Sequence, residues 1–101
     1  MHIATEPVDV SDEAFPYLSS QYIDIDYASV LAIRVTYVGE LGWEFYIPSE
    51  HAIQVYDRIV EAGKAFNLTH AGLQTLNSLR LEKGYRDYGH DIDNCDTPLE
   101  A

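Results

Sequence analysis

The sequence predicts an α+β fold, an antiparallel sheet with helices packed on one face. Two short runs, 30–37 and 43–47, alternate in polarity with the period of a strand. A glycine-bounded link, V-G-E-L-G, separates them. After Pro48 the apolar residues recur at helical spacing instead. Strands first and helices second leave one sheet face for the helices to cover.

Taken in order, residues 11–19, SDEAFPYLS, open on Ser11, a good helix cap, but Pro16 limits them to a short turn. Residues 22–26, YIDID, alternate and form a short strand. In 30–37, VLAIRVTY, Leu31, Ile33, Val35 and Tyr37 point one way, and Val30, Ala32, Arg34 and Thr36 the other. In 43–47, WEFYI, Trp43, Phe45 and Ile47 share a face, with Glu44 and Tyr46 on the opposite one. A short glycine-containing link makes the two runs an antiparallel hairpin. Pro48-Ser49-Glu50 then starts a helix, with Ser49 as cap and Glu50 where the helix dipole favours an anion. Ile53, Tyr56, Ile59 and Val60 form its apolar stripe, and Gly63 ends it. A second helix spans about 71–83, with Leu73, Leu76, Leu79 and Arg80 along one side; Glu82 pairs with Arg86 if the helix reaches that far. Arg80, set among leucines, calls for a carboxylate partner. Glu82 is too near in sequence, so Asp91 or Asp93 is expected. The tail, DYGHDIDNCDTPLEA, is acidic and irregular, and its end at Pro98-Leu99-Glu100-Ala101 reads as a truncation.

Length suits one domain, 1–101, that leans on neighbouring structure. Eight tyrosines, three phenylalanines and a tryptophan give it material for a core. The net charge is −11, and the six cations form no run. Nucleic acids and anionic membranes need clustered cations, so neither is an expected partner. No apolar run approaches the roughly 20 residues of a membrane span. The start, MHIATEPVDV, lacks the regions of a signal peptide. Cys95 is the single cysteine, which leaves no disulfide framework and fits a reducing compartment.

Three ordered stretches, YVGELGWEFYIP, SLRLEKGYRDYGHDID and TPLEA, carry a resemblance over roughly residues 11–101. The chain resembles the folate-binding domain shared by glycine-cleavage T-proteins and the C-terminal halves of dimethylglycine and sarcosine dehydrogenases. That resemblance implies a ferredoxin-like central portion of a larger aminomethyltransferase-type folate domain, with flanking domains missing. The hairpin reads GELGWE where T-proteins more often read G-E-D-G. Leu76 stands where T-proteins carry a folate-contacting arginine, and both features favour the dehydrogenase branch. The implied parent oxidises an N-methylated glycine, dimethylglycine or sarcosine, on FAD outside this chain. Its folate module then captures the one-carbon unit on tetrahydrofolate. A true aminomethyltransferase and a non-catalytic regulatory protein with the same domain are the alternatives. The catalytic aspartate of the family lies N-terminal to this chain, so no catalytic residue falls within it and it is not expected to turn over alone. The implied location is the bacterial cytoplasm or the mitochondrial matrix. The expected partners are folate, the rest of the parent polypeptide and, through apolar surface left by missing flanks, further copies of the chain.

By the same resemblance, Glu44 matches the glutamate that binds the pterin ring. A carboxylate offers two adjacent acceptors to the paired N–H donors of a 2-aminopyrimidinone edge. The bland alternative is a solvated strand glutamate. Tyr46 shares its face and completes the candidate cofactor site. Trp43, Gly39 and Gly42 read as structural, and Glu40 as a turn residue or a binding one. Tyr85 and Tyr88 pack against a cofactor or a missing domain. Asp91, Asp93 and Asp96 near His90 superficially suggest a calcium loop, but its turning glycine and closing glutamate are missing, so no metal is expected.

Overall fold

The computed structural model describes residues 8–101. They divide into two compact units: residues 41–70 with those up to Thr36, and residues 71–101 with Tyr37–Glu40.

The first unit holds a three-stranded antiparallel sheet of β1 (Ser20–Ile25), β2 (Ala28–Ile33) and β3 (Glu44–Tyr46), in that order. Asp26 and Tyr27 turn β1 into β2, and Asp26 takes the left-handed conformation (φ 53°) that a short polar side chain tolerates. The register pairs Ile25 with Ala28, Ile23 with Val30 and Ala32 with Phe45. Side chains alternate along a strand, so these residues share one face. Ile25, Ala28 and Val30 are fully buried there with Val55, and Ile23, Phe45, Ile47 and Ile59 pack around them. Val55 and Ile59 come from α1 (Ala52–Gly63), which therefore covers the inner face. The α+β class, the antiparallel sheet and the facing of 43–47 are as the sequence predicts.

Four local expectations need correction. The strand over 30–37 stops at Ile33, where the Val35 N–H folds back onto the Ile33 carbonyl at 3.0 Å. The hairpin link is thus the whole of 34–43, because its tip, Tyr37–Glu40, packs within the second unit rather than extending the ladder. Ser49 caps nothing: Pro48 places its carbonyl to accept the His51 N–H at 2.9 Å, which puts Ser49 inside a 3-10 turn (Ser49–His51) instead of flanking a helix. The inward stripe of α1 is Val55 and Gly63, both buried, with Ile59 half-buried between them, while Ile53 is 78% exposed and Tyr56 is also exposed. Both stripes obey helical spacing; the sheet selects one. As expected, α1 ends at Gly63, which keeps a right-handed φ of −74°; a 3-10 turn, Lys64–Phe66, follows and closes at Asn67 with a φ of 55°. Glycine is needed there for close packing, since a Cβ would lie 2.6 Å from that of Leu68.

In the second unit, α2 (Leu73–Glu82) ends before Gly84, whose φ of 73° turns the chain off the helical path. Arg86 therefore does not meet Glu82 and donates to the Gly84 carbonyl instead. Arg80 is buried, and its expected ion pair forms with Asp91. The guanidinium also donates to Asn77 Oδ1 at 2.9 and 2.6 Å and to the Tyr85 carbonyl at 2.9 Å. Each of the three nitrogens of this buried cation has an acceptor, which is what makes its burial tolerable. Leu73 is 83% exposed, so the leucine side of α2 is not wholly buried within this chain.

Two outcomes are expected. Val55→Ala removes two buried methyl groups and costs about 2 kcal/mol, whereas Ile53→Ala stays within about 0.5 kcal/mol of wild type; urea midpoints check both. The Asp91 carboxyl is held below its ordinary value of 3.8, first by the Asp87 N–H and then by Arg80. Its contribution is complete above that ordinary value and lost as pH falls through the depressed one. Asp91→Asn should lower the thermal midpoint at neutral pH and flatten this acid limb, as thermal unfolding down to about pH 2 would record.

Candidate functional site: the outer face of the sheet

Because Ala32 and Phe45 face the core, their neighbours must face away from it. The register lines up Tyr22, Leu31 and Tyr46 in one outer row and Ser20, Ile33 and Glu44 in the next. Glu44 and Tyr46 are both exposed, and the Tyr46 hydroxyl donates to Glu44 Oε2 at 3.0 Å. No ion pair engages Glu44 among the described residues. Its carboxylate is oriented by one neutral donor, with the second oxygen open. Beside it, Tyr22, Ser29, Leu31, Tyr46, Ile47 and Pro48 line a shallow groove of about 390 Å³. Tyr46 belongs to both features. Its phenol is pushed above the usual 10.0, first by the hydrogen bond to Glu44 and then by that anion's charge.

Trp43 takes a structural place, as expected. Its ring meets Phe15 edge-on at 6.1 Å, and the Arg34 guanidinium lies 5.7 Å from its centre. Arg34 is fixed in turn by Asp12 at 2.5 Å and the Phe15 carbonyl at 2.8 Å. The Trp43 indole N–H is buried with no acceptor among the described residues.

The remaining candidates, all but Gly42, lie in the second unit. Glu40 is ion-paired to Lys83 at 2.9 Å. Gly39 has a φ of 74°, and a Cβ there would come 2.5 Å from Lys83 Cγ. Gly42 takes no positive φ. Tyr85 stacks on Tyr37, while Tyr88 is 69% exposed. Asp91 serves Arg80, Asp93 accepts the Cys95 N–H at 2.7 Å, and Asp96 accepts the Asp93 N–H at 2.9 Å. Among the described residues, no three acids, histidines or cysteines are grouped to hold a metal ion. Sequence reasoning missed a cavity of about 400 Å³ lined by Tyr37, Leu73, Leu76, Asn77, Arg80, Asp87 and His90. Its polar members come from separate segments that turns at Gly84 and Gly89 bring back onto α2, so no local pattern announces it.

The sequence model of the GCVT N-terminal domain matches residues 1–101. Mitochondrial dimethylglycine dehydrogenase of Mus musculus is 46% identical over 94 residues, covering 92% of this chain and 11% of that protein. Mitochondrial sarcosine dehydrogenase of Mus musculus is 42% identical over 93 residues, covering 92% and 10%. The 4-methylaminobutanoate oxidase (formaldehyde-forming) of Paenarthrobacter nicotinovorans is 43% identical over 95 residues, covering 94% and 12%. The chain thus spans about a tenth of the length of these relatives.

The Tyr46–Glu44 bond has a direct optical consequence. The Tyr46 phenol should ionise above 10.0, and Glu44→Gln should bring it back toward that value. Ultraviolet difference titration against Tyr46→Phe isolates the one phenol; an unchanged titration in Glu44→Gln would contradict the coupling.

Proposed function

The chain belongs to the GCVT N-terminal domain family, and from that premise we propose that it is the tetrahydrofolate-binding portion of an enzyme that moves a one-carbon unit from an N-methylated glycine to tetrahydrofolate. The names of its relatives support the donor: dimethylglycine, sarcosine and a methylamino acid whose oxidation forms formaldehyde. In this reading the FAD that oxidises the amine sits in the parent polypeptide, outside residues 1–101, and the parent works in the mitochondrial matrix or the bacterial cytoplasm.

The single observation that carries the folate assignment is the state of Glu44: exposed on the outer face, without an ion pair, and held by the Tyr46 hydroxyl through one oxygen. An open carboxylate of this kind fits the paired N–H donors of a pterin edge, since each oxygen keeps an unused lone pair. A neutral amide would offer one acceptor where the ligand needs two. Tyr46 sets the carboxylate's rotation before any ligand arrives, which lowers the ordering cost of binding. Tetrahydrofolate, when bound, supplies the nitrogen that takes up the one-carbon unit. Residues 1–101 hold and orient it, so that capture replaces a bimolecular encounter. Leu76 bears no hydrogen-bond donor, which favours the dehydrogenase branch over the transferase.

In the full-length protein, Glu44→Gln should weaken tetrahydrofolate binding by about 1.5–3 kcal/mol, roughly tenfold to a hundredfold, while amine oxidation stays near wild type. Calorimetric titration and an oxidation assay measure the two separately. Unaltered folate affinity would remove Glu44 from the site.

A further inference from the structure

Glu44 and Tyr46 share the outer face of the sheet with a third strand's aromatic side chain. The register sets Tyr22 of β1, Leu31 of β2 and Tyr46 of β3 side by side in one row. Tyr22 is 75% and Tyr46 55% exposed, and half-buried Leu31 lies between them. Tyr22 takes no part in the core, which closes on the opposite face. Ser29, Ile47 and Pro48 complete the open groove around the row. Contiguous apolar surface of this kind marks a binding site or a covered interface. We propose that Tyr22, Leu31 and Tyr46 form the slot that takes the aminobenzoyl ring of tetrahydrofolate, with Tyr22 the residue that tells a folate from a bare pterin.

This inference rests on the folate reading of Glu44 and extends it. The aminobenzoyl group leaves the bicyclic pterin at the end remote from its aminopyrimidinone edge. A ligand held at Glu44 by that edge therefore carries its second ring one bicycle's length away. Tyr46 stands two residues along the same strand face, about 7 Å from Glu44, and its hydroxyl reaches back to Glu44 Oε2 at 3.0 Å. The phenol thus spans the interval between the carboxylate and the groove it also lines. Tyr22 and Tyr46 are two strands apart, about 9.5 Å between backbones. Side chains rise roughly perpendicular to a sheet. A planar ring seated midway over Leu31 is then about 5 Å from each phenol, within the range at which aromatic rings attract.

The test uses the full-length parent and two ligands, tetrahydrofolate and a tetrahydropterin that has the same edge but no aminobenzoyl tail. Tyr22→Ala should weaken tetrahydrofolate binding roughly three- to tenfold and leave tetrahydropterin affinity as in wild type. Tyr22→Phe, which keeps the ring, should match wild type for both. Glu44→Gln should weaken both ligands by the same factor. Anaerobic calorimetric titration reads all four proteins. Tyr22→Ala acting on both ligands alike, or on neither, would overturn the slot while leaving Glu44 in place. So would a lowered thermal midpoint in Tyr22→Ala with tetrahydrofolate affinity unchanged, which marks a surface covered by another part of the parent. If tetrahydropterin fails to bind wild type, or Glu44→Gln leaves both ligands untouched, the folate reading itself falls and the slot with it.

Discussion

The register that sets Ile33 against Glu44 is the constraint on which the candidate site depends. It follows from burying Ile23, Val30, Ala32 and Phe45 on one face under Val55 of α1. A slip of one residue would carry Glu44 and Tyr46 into the core and expose Phe45. Desolvating an unpaired carboxylate is far costlier than any pairing gained, so the apolar face and the anion enforce the same alignment. Outward placement of Glu44 is thus a by-product of core formation, delivered by folding before any ligand is involved.

The second unit is organised around a charge instead of an apolar cluster. Arg80 is the largest fully buried side chain, and Asn77, Tyr85 and Asp91 surround its guanidinium. Other cations are also committed internally: Arg34 to Asp12, Arg58 to Asp26, Lys64 to Glu61 and Lys83 to Glu40. A chain with net charge −11 therefore shows its surroundings mostly uncompensated acid.

Much of this was legible before any coordinates. Alternation in WEFYI placed Glu44 and Tyr46 together because a strand's period is fixed at two, whatever packs against it. The partner of Arg80 was legible too, because a buried guanidinium requires a carboxylate and few were in reach. The stripe of α1 was not: Ile53, Tyr56 and Val55 all satisfy a 3.6-residue period, and only the sheet's position distinguishes them. Nor was the end of β2, where continued alternation in VTY implied pairing that the chain spends elsewhere.

By itself, then, the sequence determined the α+β class, the antiparallel order, the face that bears Glu44 and the family, since each rests on local period or on a contiguous motif. Tertiary structure alone decided where β2 stops, which helix face is buried, that Glu40 answers Lys83, and that Tyr37 lines a cavity with Asn77, Asp87 and His90. Those outcomes join residues distant along the chain. Their energies come from packing and ion pairing between segments, which no local pattern encodes.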